Sequence, residues 1–268
     1  MRILIGLLKA CHFGPTMTVT ITSLLLATNL WWEGPAIVIA FGVFLGQLLV
    51  GFTNDLKDFQ DDKKHNRRNK PLVNGQITTA QLQRAIKIVA PIAVVVNIAG
   101  PLGVKGGLIY LFGVCMGISY NLYFKSTLLS PLPYAIAFAA LVVCIVVATD
   151  RNPPLWLMSA ASLLGVAAHF ANVLKDLDQD LTSGIKGLPQ RLGEKYSRII
   201  VSLLLITTTL LLNQTHPNTP LLLIGLIAAI ITSFAPNKLM FSCLMITAVI
   251  DVALLINAAG SVIGSTTI

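Results

Sequence analysis

Charge is scarce in this sequence. Of its 268 residues only 11% are Asp, Glu, Lys or Arg, whereas 55% are apolar or aromatic, and the mean hydropathy is +0.79. A soluble domain carries about 25% charged residues, so a soluble enzyme, a nucleic-acid binder and a disordered tail are all excluded as readings. Cysteine is sparse as well: Cys11, Cys115, Cys144 and Cys243 stand far apart in apolar surroundings without CxxC spacing. Neither a disulfide framework nor a zinc site follows from them, and they read as packing residues. A cleavable signal peptide is not expected, because the first apolar stretch lacks a small-residue cleavage site and runs into further apolar sequence. With soluble partners set aside, the net charge of +8 calls for a membrane explanation.

A helix needs about 20 mainly apolar residues to cross about 30 Å of hydrocarbon. Nine stretches meet that criterion, at approximately 13–31, 35–53, 82–100, 106–122, 131–148, 155–173, 199–213, 219–234 and 239–260, the seventh and eighth being short. Strands of a membrane barrel would alternate apolar and polar residues, whereas Ala93-Val94-Val95-Val96 and Leu203-Leu204-Leu205-Ile206 are apolar on every side. The expected fold class is therefore all-α, a multi-span bundle of about nine transmembrane helices. No loop is long enough for a separate soluble unit, so residues 1–268 read as one integral membrane domain.

The basic residues orient it. With the N-terminus cytoplasmic, 17 of the 19 Lys and Arg residues fall on inner segments and adjoining span ends, and only Lys105 and Arg151 fall outside. Such a bias sets topology. It predicts cytoplasmic loops around 54–80 and 173–198, an outer position for residue 268, and residence in the cell membrane.

Seven of the eleven acids sit in two short windows, Asn54-Asp55-Leu56-Lys57-Asp58-Phe59-Gln60-Asp61-Asp62 and Asn172-Val173-Leu174-Lys175-Asp176-Leu177-Asp178-Gln179-Asp180. Both fit N-x-x-x-D-x-x-x-D. On a helix, positions i, i+4 and i+8 lie near one face, which would align Asn54, Asp58 and Asp62 in one stripe and Asn172, Asp176 and Asp180 in another. Carboxylates at i,i+4 repel, so each stripe calls for a cation. Mg²⁺ takes oxygen ligands and is usually shared with substrate phosphates, which makes a diphosphate the natural third party. The windows follow the second and sixth spans, so both emerge on one side and can face each other across one cavity, as in a duplicated four-helix unit. Basic loops follow each: Lys63, Lys64, Arg67, Arg68 and Lys70 after the first, Lys186 and Arg191 after the second. They suit a metal-bound diphosphate, and equally serve as topology signals.

At these residues the sequence resembles the UbiA superfamily of intramembrane prenyltransferases. The family's NDxxDxxxD motif is matched by Asn54, Asp55, Asp58 and Asp62, and the basic-Pro-Leu stretch after it by Asn69-Lys70-Pro71-Leu72 before Gly75. Its second motif is matched by Asp176 and Asp180 with Asn172 preceding, and a Tyr and Lys near the end of the fourth helix by Tyr120 and Lys125. The resemblance implies Mg²⁺-dependent transfer of a prenyl group from a polyprenyl diphosphate to a small-molecule acceptor, usually aromatic, inside the bilayer. It further implies that Asn54, Asp58 and Asp62 hold one Mg²⁺ and Asp176, Asp180 and Asn172 another. Arg67, Arg68, Lys70, Lys125, Lys186 and Arg191 would bind the diphosphate, and Asp58, Asp176, Tyr120 and Lys125 would carry the chemistry. Position 70 is Lys where the family more usually has Arg, and Asp61 and Asp178 are additional acids.

Three readings compete: the transferase, a cyclase that ionises the same diphosphate without an acceptor, and a cation transporter using the acid stripes as ion sites. Asp251, inside the ninth span, is a functional candidate by its place or a hydrogen-bonded structural acid. His169, one helical turn before Asn172, either contacts the acceptor or is structural. His12 and His216 carry no signal.

Overall fold

The structure, a computed structural model, describes residues 2–215 and 217–262. His216 and residue 268, with its expected outer placement, lie outside the described residues. A short helix α1 (Arg2–Ala10) precedes the bundle helices α2 (Phe13–Leu30), α3 (Glu33–Lys64), α4 (Thr79–Ala99), α5 (Gly103–Ser119), α6 (Leu132–Val147) and α7 (Leu155–Lys175). After α7 come a short α8 (Leu177–Thr182) and then α9 (Leu188–Thr215), α10 (Thr219–Phe234) and α11 (Asn237–Val262). The described residues contain no strand.

Each of the nine expected spans has its helix. Six are long and apolar enough to cross a membrane on their own, and α1 with α2 form a further such segment, bent by 70°. The two remaining apolar helices, α6 and α10, have 16 residues each and reach about 24 Å at 1.5 Å per residue. The eighth span is short, as expected, but the seventh is not. The helical segment already begins at Leu188 and is kinked at Gly193 (φ 77°, ψ 175°), and the polar residues on either side of the kink (Gln190, Arg191, Glu194, Lys195) conceal its start from a reading by hydropathy.

Short connections make sequential helices neighbours, and α11 returns to pack on α2, closing the bundle into a ring. Close approach inside it is made by small residues: a Cβ at Gly46 would strike the Tyr110 hydroxyl, which instead donates to the Val43 carbonyl at 2.8 Å. Asn97 Nδ2 similarly ties α4 to α3 by donating to the Gly42 carbonyl at 3.2 Å. The largest core cluster runs from Leu26, Ile39 and Val43 through Tyr110, Leu141, Ile145 and Leu157 to Leu254.

On the outside, Ile88, Ile92 and Val95 of α4 and Leu223, Ile227 and Ile231 of α10 are all exposed. These i, i+3/i+4 and i+7/i+8 rows form apolar faces that water would disfavour and lipid accepts. The chain is an integral membrane protein. The acid-bearing end of α3 continues as regular helix through both motif-bearing turns, because its apolar positions keep packing: Phe52 joins Ala10, Cys11, Leu72, Ile77 and Leu82 in a separate buried cluster.

Candidate active site

The first acid stripe is as expected. Asn54, Asp58 and Asp62 lie within the unbroken α3. The second departs from expectation. The helix stops at Lys175, Asp176 has φ −116° and ψ 16°, and Asp178 and Asp180 belong to α8. Asn172, Asp176 and Asp180 therefore do not share one helical stripe. Leu177 turns inward to the core formed with Leu174 and Val201, and the break accommodates it. Asp180 N–H still donates to the Asp176 carbonyl at 2.9 Å, so the two acids remain adjacent.

The two motifs meet through basic side chains and a serine. Lys125 Nζ lies 2.7 Å from Asp58 Oδ2 and acts electrostatically on Asp180. Arg67 Nη1 lies 2.7 Å from Asp62 Oδ1, and its Nη2 donates to Ser183 Oγ at 3.1 Å. Ser183 Oγ in turn donates to Asp61 Oδ2 at 2.7 Å. Asp180, buried under this loop, accepts from Gln190 Nε2 at 2.8 Å. Burial pushes the Asp180 carboxyl above its ordinary range, while Lys125 and Gln190 act in the opposite direction.

Lys125 is delivered by a π-turn. Residues Tyr120–Phe124 wind with the Lys125 N–H donating to the Tyr120 carbonyl at 3.0 Å, a geometry common at functional sites. Asn121 Nδ2 anchors the turn by donating to the Val50 carbonyl at 3.0 Å. Tyr120 is buried within electrostatic reach of Asp58 and Asp180. Its ring centroid lies 5.0 Å from that of Tyr134 and 5.3 Å from that of His169.

The remaining expected residues divide. Asp55 is 2% exposed and pairs with Lys70 at 2.6 Å, so Lys70 is turned toward the protein's own acid. Asn172 and Asp176 are half-buried at the mouth, where Lys175 Nζ stands 3.5 Å from Asp176. Arg68, Lys186 and Arg191 are exposed. Arg191 donates to the Lys186 carbonyl and Arg68 to Asn66 Oδ1, and no ion pair of theirs reaches the acid cluster among the described residues. Sequence reasoning missed His12. It stands in the left-handed region (φ 54°) at the α1–α2 bend, with Nε2 3.3 Å from Asp55 Oδ1 and 3.5 Å from Asn54 Nδ2. Gln190 and Ser183 were equally unmarked, since a single amide or hydroxyl in a loop carries no periodic signal.

Among the described residues no three His, Cys, Asp or Glu side chains converge tightly enough to cage an ion unaided. The donor set is nevertheless all oxygen, and a buried Asp55 oxygen, Oδ2, has no hydrogen-bond partner. These carboxylates fit a hard cation that completes its shell with water and phosphate oxygens. They do not form an all-protein cage.

A closed ring of membrane helices with an acid-and-base cluster at one end is a membrane-embedded bundle whose charged site suits an anionic, metal-bound group. The sequence profile of the UbiA prenyltransferase family matches residues 16–255. The chain belongs to that family, and it is a prenyltransferase.

Its fold is similar to that of a UbiA homologue from Archaeoglobus fulgidus solved with GPP and Mg²⁺, with TM-score 0.71 and 16% identity over 96% of this chain and 100% of that one. A UbiA homologue from Aeropyrum pernix K1 in apo form gives TM-score 0.71 and 17% identity over 96% and 98% of the two chains. Digeranylgeranylglyceryl phosphate synthase gives 0.68 and 17% over 98% and 100%. At these identities the likeness is one of fold. No curated protein sequence matches the chain.

Proposed function

We propose that the chain, acting as one integral membrane domain over residues 1–268, uses Mg²⁺ to transfer a prenyl group from a polyprenyl diphosphate to an aromatic acceptor of quinone-precursor type. The observation that carries this reading is the meeting of the two acid motifs, 118 residues apart, across Lys125 and the Arg67–Ser183 bridge. Structures of a UbiA homologue from Archaeoglobus fulgidus hold GPP with Mg²⁺ and DMAPP with Mg²⁺, which supports the same substrate class and cofactor here.

Asn54, Asp58 and Asp62 on one side and Asn172, Asp176 and Asp180 on the other would hold the metal, which neutralises charge on diphosphate oxygens as the allylic C–O bond breaks. Lys125 and Arg67 exchange their carboxylate partners for phosphate oxygens when the substrate enters. Charge then develops against groups already in position, the arrangement that contributes most to such catalysis. Arg68, Lys186 and Arg191, exposed and without ion pairs among the described residues, draw the diphosphate in. Tyr120 closes the inner wall beneath the acids, presenting a ring to the allylic cation. The new carbon–carbon bond forms at the acceptor ring, which releases a proton. By the bias of basic residues, both motif loops face the cytoplasm.

The transporter reading is weaker, because the acids are paired with Lys and Arg at one end of the bundle. Beyond them, Asp251 hydrogen-bonds only to Thr209 among the described residues. A cyclase shares the ionising half of the site and differs in needing no acceptor. Titration calorimetry with geranyl diphosphate tests the common half: binding should require Mg²⁺ or Mn²⁺ and vanish with chelator. Metal-independent binding at full affinity overturns the reading.

A further inference from the structure

His169 of α7 is fully buried beneath the acid cluster, and its hydrogen bonds determine where its ring proton sits. Nε2 lies 3.0 Å from Ser130 Oγ. That hydroxyl, also fully buried, accepts from the Leu188 N–H at 3.0 Å. Ser130 has one proton to give, and among the described hydrogen bonds His169 Nε2 is the only acceptor within its reach. Assigning that proton to Nε2 places the ring proton on Nδ1. Nδ1 is buried and has no hydrogen-bond partner.

What surrounds this donor is aromatic. Ring centroids of Tyr134, Tyr120 and Phe170 lie 4.9, 5.3 and 5.9 Å from that of His169. An N–H over a ring replaces only part of a hydrogen bond, whereas a buried donor left without an acceptor carries its full desolvation penalty. The deficit stands next to Tyr120, whose surroundings include Asp58 and Asp180. A buried polar group without a partner calls for an explanation, and a ligand bound at the neighbouring reaction site supplies one.

We propose that the Nδ1–H of His169 is the specificity contact for an oxygen of the acceptor, donating to a phenolic or carboxylate oxygen that reaches it once the Tyr120 and Tyr134 rings, in edge-to-face contact at 5.0 Å, part to admit it. This rests on the transferase reading and extends it by naming the group that selects the acceptor. Both ring nitrogens are committed, so His169 is a donor and not a base. The proton lost by the acceptor carbon when the new bond forms goes to the released diphosphate.

Two variants separate this role from a structural one. In His169→Asn the amide nitrogen can occupy the Nδ1 position, but Ser130 is lost. In His169→Gln the side-chain oxygen can reach Ser130, but the donor at Nδ1 is lost. The assay uses purified protein in nanodiscs with geranyl diphosphate, Mg²⁺, and 4-hydroxybenzoate or 1,4-dihydroxy-2-naphthoate. His169→Gln should raise the acceptor KM about tenfold, the cost of one lost hydrogen bond to substrate, with diphosphate affinity unchanged. His169→Asn should stay within about threefold of the parent in acceptor KM.

¹⁵N-histidine NMR, with the His169 signal assigned from its loss in His169→Gln, should show the neutral Nδ1-protonated ring. An Nε2-protonated ring overturns the proposal, and so does His169→Asn failing where His169→Gln works. Transfer to neither acceptor by a protein that binds geranyl diphosphate with Mg²⁺ also overturns it, whereas loss of that binding in the parent protein is failure of the transferase reading itself.

Discussion

Lys125 Nζ sits 2.7 Å from Asp58 Oδ2 across 67 residues of sequence, a cation from the π-turn after α5 closing on the acid stripe of α3. The pair is mostly buried, its side chains 21% and 19% exposed. If Asp58 holds the metal as proposed, that metal and Lys125 would compete for one carboxylate.

Truncating that lysine should therefore act oppositely on the free and loaded protein. Lys125→Ala leaves Asp58 unpaired near Asp62 and should destabilise the metal-free protein by about 1–3 kcal/mol. Because no ammonium then has to be displaced, Mg²⁺ should raise the thermal midpoint of the variant more than that of the parent. Thermal unfolding in detergent with Mg²⁺ and with chelator checks both, and equal Mg²⁺ shifts would remove the competition.

The two motifs should behave as a unit. If Asp58 and Asp176 serve one diphosphate, each change to Ala abolishes most turnover, and the double variant is little worse than either single one. Turnover of the three variants, each checked for monodispersity, decides the matter. Additive losses would indicate separate sites, as a transporter could have.

Arg67 and Arg68 are neighbours in sequence with unlike surroundings. Arg67 joins Asp62 to Ser183 of the second loop, while Arg68 is exposed and donates to Asn66. Arg67→Ala should lower stability by about 2 kcal/mol or more, since it strands a nearly buried carboxylate. Arg68→Ala should change stability by less than about 0.5 kcal/mol, as surface changes do. Denaturation midpoints of the two proteins distinguish them.

Which of these residues could be read in advance follows from what leaves a periodic or repeated trace. The nine apolar stretches are long-range signals, and the i, i+4, i+8 spacing of Asn54, Asp58 and Asp62 survives because α3 is continuous. The identical spacing after Asn172 misleads, since whether a helix continues past Asp176 depends on where Leu177 finds a core to enter. Helix α1 escaped notice because it is short, burying only Gly6 and Ala10, so His12 at its end could not be tied to Asp55. Tyr120 and Lys125 were found through the family resemblance. The π-turn that joins them has no signature of its own.

Gly187 offers a steric test of the second loop. A Cβ there would lie 2.7 Å from the Lys125 carbonyl oxygen and 3.0 Å from Ser130 Oγ. Backbone cannot yield as a flexible side chain can. Gly187→Ala should lift the loop off Lys125, weakening geranyl diphosphate binding with little change in the apolar bundle. Calorimetry beside circular dichroism checks this, and unchanged affinity would mean the loop does not need to lie there.

Asp251 stands apart from the acid cluster, within α11. It is 1% exposed within α11, and Thr209 Oγ1 of α9 lies 2.8 Å from its Oδ1. That hydroxyl also lies 3.0 Å from the Leu205 carbonyl. Thr209 has a single proton. When Leu205 takes it, Asp251 must itself be the donor to Thr209, as a protonated acid is. No Lys or Arg among the described residues pairs with it, and an unpaired buried carboxylate is far costlier than a neutral acid. Asp251→Asn, which supplies an amide N–H in place of the acid O–H, should keep the parent's activity and lie within about 0.5 kcal/mol of its stability. Asp251→Ala should lose about 1–2 kcal/mol through the lost α9–α11 bond and the vacated volume. Turnover and thermal unfolding of both variants in detergent give the answer. Loss of activity in a stably folded Asp251→Asn protein would place this acid in the reaction and end the structural account of it.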